Sequence, residues 1–314
     1  MIVLSSAQPH PPFVIHDFFI ETPFERRFQG LLRRAWQQRT WHIIAAVPGS
    51  GKSFGIHDLV HQSGACKEPN GVTRLPLLAI RAPKNATKEL ALGTALSAAF
   101  GVVPRMPWYI RRSWLVQIAA SAQVENIIID DAQDLSLEHL ALLKELTDNL
   151  AAPPYGRSVG LCLVVAHTGN IMPLKEIFAR PDTLWRQFRR RLDTELPFCT
   201  ILGHTTIEVR DILTAFEELY RSQLPDLQLR RWAKSITTWL THPTLDPDAT
   251  GRVTMDHLTR LVISAMRQAY EQRARNVEGP VLEHIAELMV LRRDDIISID
   301  SPDEDSNSSV QEVG

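Results

Sequence analysis

At 314 residues with 44% hydrophobic content, the chain can bury one substantial α/β core and a smaller second one. A formal charge of −2 excludes a chain-wide basic surface, so any contact with nucleic acid has to be local. Cys66, Cys162 and Cys199 lie far apart without C-x-x-C spacing, and there is neither a signal-peptide pattern nor an apolar run of membrane-spanning length; the expectation is a soluble, cytoplasmic protein with reduced thiols and no membrane partner.

Residues 1–20 contain prolines and aromatics without a period and read as an N-terminal arm. Thr22-Pro23-Phe24-Glu25 then supplies an N-cap, a proline at the first helical position and a capping-box acid, which predicts a helix to about Gln38. Phe24, Phe28, Leu31, Leu32, Ala35 and Trp36 fall on its apolar face, with arginines around the rest.

Trp41 to Ala46 is an apolar run that leads directly into Val47-Pro48-Gly49-Ser50-Gly51-Lys52-Ser53. The order is that of a buried strand, a phosphate-binding loop and a helix, the last from about Gly51 to Leu59. In such a loop, Pro48 to Ser53 wrap a nucleotide: the glycines turn backbone N–H groups toward the β-phosphate, Lys52 adds a point charge at the β/γ-phosphates, and Ser53 can ligate Mg²⁺. The implied cofactors are ATP and Mg²⁺. The first glycine of G-x-x-x-x-G-K-[ST] is replaced by Ala46, which predicts a slightly tighter loop and not a lost site.

Leu75 to Ile80 reads as a second strand, followed by Lys84-Asn85 and a Thr87-capped helix ending near Phe100. A loop through Arg105 precedes a helix carrying Trp108, Tyr109, Arg111, Arg112 and Trp114. Val124 to Ile129 is a continuous β-branched run ending in Asp130-Asp131, as expected for a central strand of a parallel sheet with carboxylates at its C-terminal end. Asp130 is then the Walker B acid in the Mg²⁺ shell, and Asp131 takes the place of the residue that polarises attacking water. That residue is usually a glutamate; the shorter aspartate predicts slow hydrolysis. Asp134 reads as a capping or solvated acid ahead of Ser136.

A helix from Ser136 to about Asn149 and a strand Gly160 to Ala166 follow. His167, Thr168 and Asn170, leaving that strand, are the residues from which a γ-phosphate sensor would come, and Thr168 has the best-fitting chemistry as a small neutral donor. Trp185 to Leu192 is an arginine-dense helix end before a short strand, Leu196 to Phe198. Arg189, Arg190 and Arg191 are either a basic helix terminus or, in a ring or filament, the source of an arginine reaching a neighbour's γ-phosphate. From Thr205 the pattern is wholly helical to Arg292; Arg252 falls where a second sensor would lie, but at a loose spacing that favours a plain surface arginine, and the last residues are acidic and serine-rich.

Strands alternating with helices predict an α/β P-loop NTPase of AAA+ type, a parallel sheet flanked by helices with a small C-terminal helical lid. The expected parts are the arm 1–20, the nucleotide-binding core 21–203, the lid 204–293 and an acidic disordered tail 294–314. The order of the Thr22-Pro23 helix, phosphate loop, Ile127-to-Gln133 strand, Ala166-to-Asn170 turn, Phe188-Arg189-Arg190-Arg191 and compact lid resembles the transposon-encoded AAA+ regulators, TnsC and its cousins TniB, MuB and IstB, over residues 15–290. The resemblance implies an ATPase that assembles as a ring or helical homo-oligomer on duplex target DNA. It also implies partners, a transposase and a target-selection protein of the TniQ or TnsD kind, and DNA contacts between the second strand and the carboxylate strand, at Lys84, Arg105, Arg111 and Arg112. Helicase loaders, STAND-type signalling ATPases and a weakly hydrolysing nucleotide switch share the core motifs and stay open as alternatives.

Overall fold

The computed structural model describes residues 20–67, 73–84, 86–101, 105–166, 174 and 183–299, with backbone alone for 183–185 and 292–299. They form two compact units: 21–204 with 254–256, and 205–253 with 257–299.

The first unit is built on a five-stranded parallel sheet in the order β4-β5-β6-β1-β7. Its strands are β1 (Trp41–Ala46), β4 (Leu77–Arg81), β5 (Asn126–Asp130), β6 (Gly160–Ala166) and β7 (Phe198–Ile201); Cys66–Lys67 (β2) and Thr73–Arg74 (β3) make a separate hairpin that the sequence pattern does not announce. Alternation decides which residue faces which layer. Ile43, Ala45, Ile127, Ile129, Leu161, Leu163 and Val165 face one core, shared with α3 (Glu89–Ala99), α4 (Trp108–Ser121) and α5 (Leu137–Ala151). Ile44, Ala46, Ile128, Cys162 and Val164 face the other, filled by Phe24, Phe28 and Leu32 of α1 (Pro23–Gln38) and by Ile56 and Leu59 of α2 (Lys52–Gln62). With both faces covered, the strands are unbroken apolar runs.

The central strand is β6, not the carboxylate strand. It lies between β1 and β5, so the two motif-bearing strands are not neighbours. The helix expected to be capped by Thr87 starts one residue later, at an N-cap Lys88 that makes no side-chain bond; the Thr87 carbonyl instead accepts the Ser136 hydroxyl at 2.5 Å. The strand expected at Leu196 begins only at Phe198, because Asp193 accepts the N–H groups of Glu195 (2.9 Å) and Leu196 (2.7 Å) in a turn and Pro197 has no N–H to give. Helix α6 (Thr183–Arg189) precedes that turn.

The second unit holds α7 (Thr206–Tyr220), α8 (Ala233–Leu240), α10 (Gly279–Ile299) and, from His257 onward, α9 (Met255–Glu271). Thr205 and Glu208 form a reciprocal capping box that fixes the start of α7. Helix α8 is preceded by a 3₁₀ turn, Arg230–Trp232, whose first N–H is taken by Glu217 at 2.7 Å. Helix α10 continues through Ile299, so the first residues of the expected tail are helical, and residues 300–314 lie outside the described part, as does the arm before Ile20. No helix among the described residues is long and apolar enough to cross a membrane.

Candidate nucleotide site

The phosphate loop runs from the buried end of β1 into α2. Gly49 and Gly51 adopt φ of 72° and 98°, conformations that L side chains rarely take, and these two glycines turn the chain so that α2 starts at Lys52. Ala46 needs no such freedom. It is the last residue of β1, in register with Ala166 and Ile201, and its methyl group is fully buried in the α1/α2 core. The substitution therefore falls on regular strand and leaves the loop intact.

Lys52 is 7% exposed and its ammonium donates to the carbonyls of Ala46 (3.1 Å) and Val47 (3.2 Å). Burial lowers its pKa, and the charges of Asp130 and Asp131 oppose that shift. Ser53 donates its hydroxyl to Asp130 Oδ2 at 2.5 Å. Two residues 77 positions apart, one in the first turn of α2 and the other at the end of β5, thus meet beside the loop. The buried Ser50 hydroxyl, 3% exposed, has no hydrogen-bond partner among the described residues. An orphaned hydroxyl, a buried ammonium and the N-terminus of a helix converging on one loop fit the triphosphate of a nucleotide, and the Ser53–Asp130 oxygen pair fits Mg²⁺.

Asp131 sits just past β5 with φ of 52°. Aspartate tolerates this left-handed conformation better than most residues. Two residues without an assigned role in the sequence reading hold it. Arg81, the last residue of β4 and in register with Asp130, places Nε and one Nη each 2.5 Å from Asp131 Oδ2. Gln133 donates to Asp131 Oδ1 at 3.4 Å while its own carbonyl oxygen accepts the Ala166 N–H at 2.9 Å, tying the acid to the end of β6. Burial by itself would raise the Asp131 pKa; the bonds from Arg81 and Gln133 and the charges of Arg81 and Lys52 outweigh it and hold the carboxyl below its ordinary value. The signal for Arg81 was present in the sequence as a lone cation ending the strand that would flank the carboxylate strand. Thr168, with His167 and Asn170, lies outside the described residues.

The arginine-dense segment is at the other end of the sheet. Arg191 is ion-paired with Asp148, donates to Thr147 at 3.3 Å and lies 5.1 Å from the centre of the Trp41 ring, at the start of β1. Ala46 lies five residue steps beyond Trp41, or roughly 16 Å at 3.3 Å per residue, so Arg191 does not reach its own loop. Arg189 and Arg190 are exposed.

Of the residues implied for DNA, Lys84 and Arg105 are exposed. Arg112 is ion-paired with Glu89 at 3.4 Å and with Glu145, and Arg111 donates to Thr94 (3.2 Å) and to the Met106 carbonyl (3.4 Å). Both tryptophans of α4 pack against the core; a Cβ at Gly93 would lie 2.2 Å from the Trp108 ring, so the close approach of α3 and α4 requires glycine there.

The sheet order, the loop after β1 and the acid pair at the end of β5 define the fold as that of the AAA+ P-loop ATPases. No family profile and no curated protein matches the chain. Among solved structures it is similar to Cdc6p from Pyrobaculum aerophilum (TM-score 0.58, 14% identity, 85% of this chain and 66% of that one). It is also similar to the ORC2 protein of Aeropyrum pernix in ADPNP–ADP complexes (0.56, 13%, 84% and 66%) and to the ORC1 protein of Aeropyrum pernix in complex with DNA (0.55, 17%, 90% and 68%). The chain spans about two thirds of the length of these proteins, and at these identities the likeness is one of fold.

Proposed function

We propose that the chain is an ATP-dependent AAA+ regulator of DNA transposition, which oligomerises on target duplex DNA and links a target-selection protein to a transposase. The observation that carries its nucleotide chemistry is the 2.5 Å contact between Ser53 and Asp130 beside the Lys52 loop. The transposition reading rests on the motif order shared with TnsC and its cousins, and the fold shared with the ORC1 structure solved on DNA supports a DNA-bound ATPase more generally.

When bound, ATP with Mg²⁺ supplies the phosphoanhydride to be cleaved. Gly49, Ser50 and Gly51 would give backbone donors to its phosphates, Lys52 would balance charge at the β/γ positions, and Ser53 and Asp130 would hold the metal. Asp131 accepts the proton of the attacking water, for which it has to leave Arg81. Arg189 or Arg190 acts on the nucleotide of a neighbouring copy, since both are exposed while Arg191 is committed to Asp148 and Trp41. Lys84 and Arg105 contact DNA phosphates without reading bases.

The experiment is electron microscopy of the protein with a bare duplex, with and without a slowly hydrolysed ATP analogue. Nucleotide-dependent rings or filaments along the duplex are expected. A protein that binds ATP yet stays discrete on DNA overturns the assembly reading and favours an initiator-like or loader-like ATPase, the second reading, to which the Cdc6 and ORC folds point.

A further inference from the structure

We infer that the outer face of α2 carries a surface chelate for a divalent transition metal, formed by His57 and His61. Both residues are exposed and lie on the regular helix Lys52–Gln62. Residues four apart on a helix stand one above the other, about 6 Å apart along the axis at 1.5 Å per residue. Two imidazoles at this spacing bring one ring nitrogen each to a single metal, the arrangement by which a helical H-x-x-x-H pair holds zinc.

The neighbours of the pair leave it clear. Asp58 and Gln62, the next residue after each histidine, turn to α1: Gln29 donates to Asp58 at 2.7 Å, Gln62 donates to the same oxygen at 2.7 Å, and Arg33 donates to Gln62 at 2.7 Å. These bonds fix the rotation of α2 and direct the histidine stripe away from α1. Neither imidazole has a hydrogen-bond or ionic partner among the described residues, so coordination costs no existing bond.

No cluster of three or more His, Cys, Asp or Glu suited to a metal occurs among the described residues. The protein therefore fills two coordination positions and water fills the others, which makes this an exchangeable surface site and not a closed structural one. Neutral imidazole selects borderline metals, with Cu²⁺ and Ni²⁺ binding more tightly than Zn²⁺, and leaves Mg²⁺ to the oxygen ligands Ser53 and Asp130. Bridging positions 57 and 61 also stiffens the helix that presents Lys52 and Ser53.

The test is calorimetric titration of the full chain with ZnCl₂ in a non-coordinating buffer containing excess Mg²⁺, repeated on His57→Ala, His61→Ala and the double variant. Losing even an outer partner of a metal-bound histidine costs about 10- to 100-fold in affinity, so loss of either ligand is expected to weaken Zn²⁺ binding at least that much. A further variant, His61→Gln with Gln62→His, keeps two histidines but moves them five apart; it is expected to bind as weakly as the single variants. The wild type alone should gain melting temperature with Zn²⁺. No Zn²⁺ binding by the wild type, undiminished binding by the double variant, or full binding by the shifted pair overturns the site.

Discussion

Arg81 and Asp131 meet across neighbouring strands, with two guanidinium nitrogens each 2.5 Å from the same carboxylate oxygen. The acid proposed to polarise water is thus neutralised by a side chain that is 64% exposed and free to withdraw. The pair is worth little to stability, because solvent screens it. Its effect falls on proton affinity: with Arg81 present the Asp131 carboxylate is stabilised and is a poorer base. Arg81→Ala is therefore expected to raise steady-state ATP turnover severalfold while leaving nucleotide affinity unchanged. A fall in turnover would show that Arg81 assists the chemistry directly.

The two adjacent acids should separate by phenotype. Asp130→Asn removes the carboxylate that meets Ser53 and should weaken Mg²⁺-dependent nucleotide binding together with turnover. Asp131→Asn keeps that contact and should lose turnover alone, with nucleotide retained for longer. Binding and single-turnover measurements on both variants check this; equal binding defects would mean the roles are misassigned.

A pH effect is expected behind α2. Glu25 in α1 is raised to about 8 by burial first, then by the charges of Asp58 and Glu21, against a small opposing bond from Gln29. An acid whose pKa is raised on folding takes up protons in the folded state, so its contribution to stability is full below the unfolded value of 4.5 and is lost as pH rises through about 8. Between those values the slope is at most about 1.4 kcal/mol per pH unit. Glu25→Gln should flatten the fall of melting temperature between about pH 6 and about pH 8.5. An unchanged profile would place the proton elsewhere.

The implied DNA residues divide in the same way. Each lost phosphate contact flattens the salt dependence of duplex binding by about 0.9 in the log–log slope, so Lys84→Ala with Arg105→Ala should reduce it by roughly 2. Arg112→Ala breaks ion pairs to Glu89 and Glu145 and should lower melting temperature before it touches DNA binding. Fluorescence anisotropy across a salt series, beside thermal melts, distinguishes these outcomes; a reversed pattern would put Arg112 on the DNA.

What the sequence made legible follows from locality. The loop Pro48 to Ser53, the capped starts at Thr22 and Ser136, and the unbroken strands at Trp41, Asn126 and Gly160 are set by neighbouring residues, and each stands within a few positions of its expected place. What depends on distant partners was hidden. Insertion of β6 between the motif strands, the hold of Arg81 on Asp131, the tie of Gln133 to Ala166, and the pairing of Arg112 with Glu145 and of Arg191 with Asp148 all join residues more than 30 positions apart. The hairpin of β2 and β3 was missed because two-residue strands carry no period.

The proposed function requires the loop from Pro48 to Ser53 to hold a nucleoside triphosphate with its metal. Equilibrium binding of a fluorescent ATP analogue, with Mg²⁺ and with EDTA, to the wild type and to Lys52→Ala tests it most directly. Mg²⁺-enhanced binding by the wild type is expected, with loss of at least about tenfold in affinity on removing the buried ammonium, which at about 1.4 kcal/mol is the smallest effect expected of a charge-assisted phosphate contact. Equal, metal-independent affinity in the two proteins would contradict it.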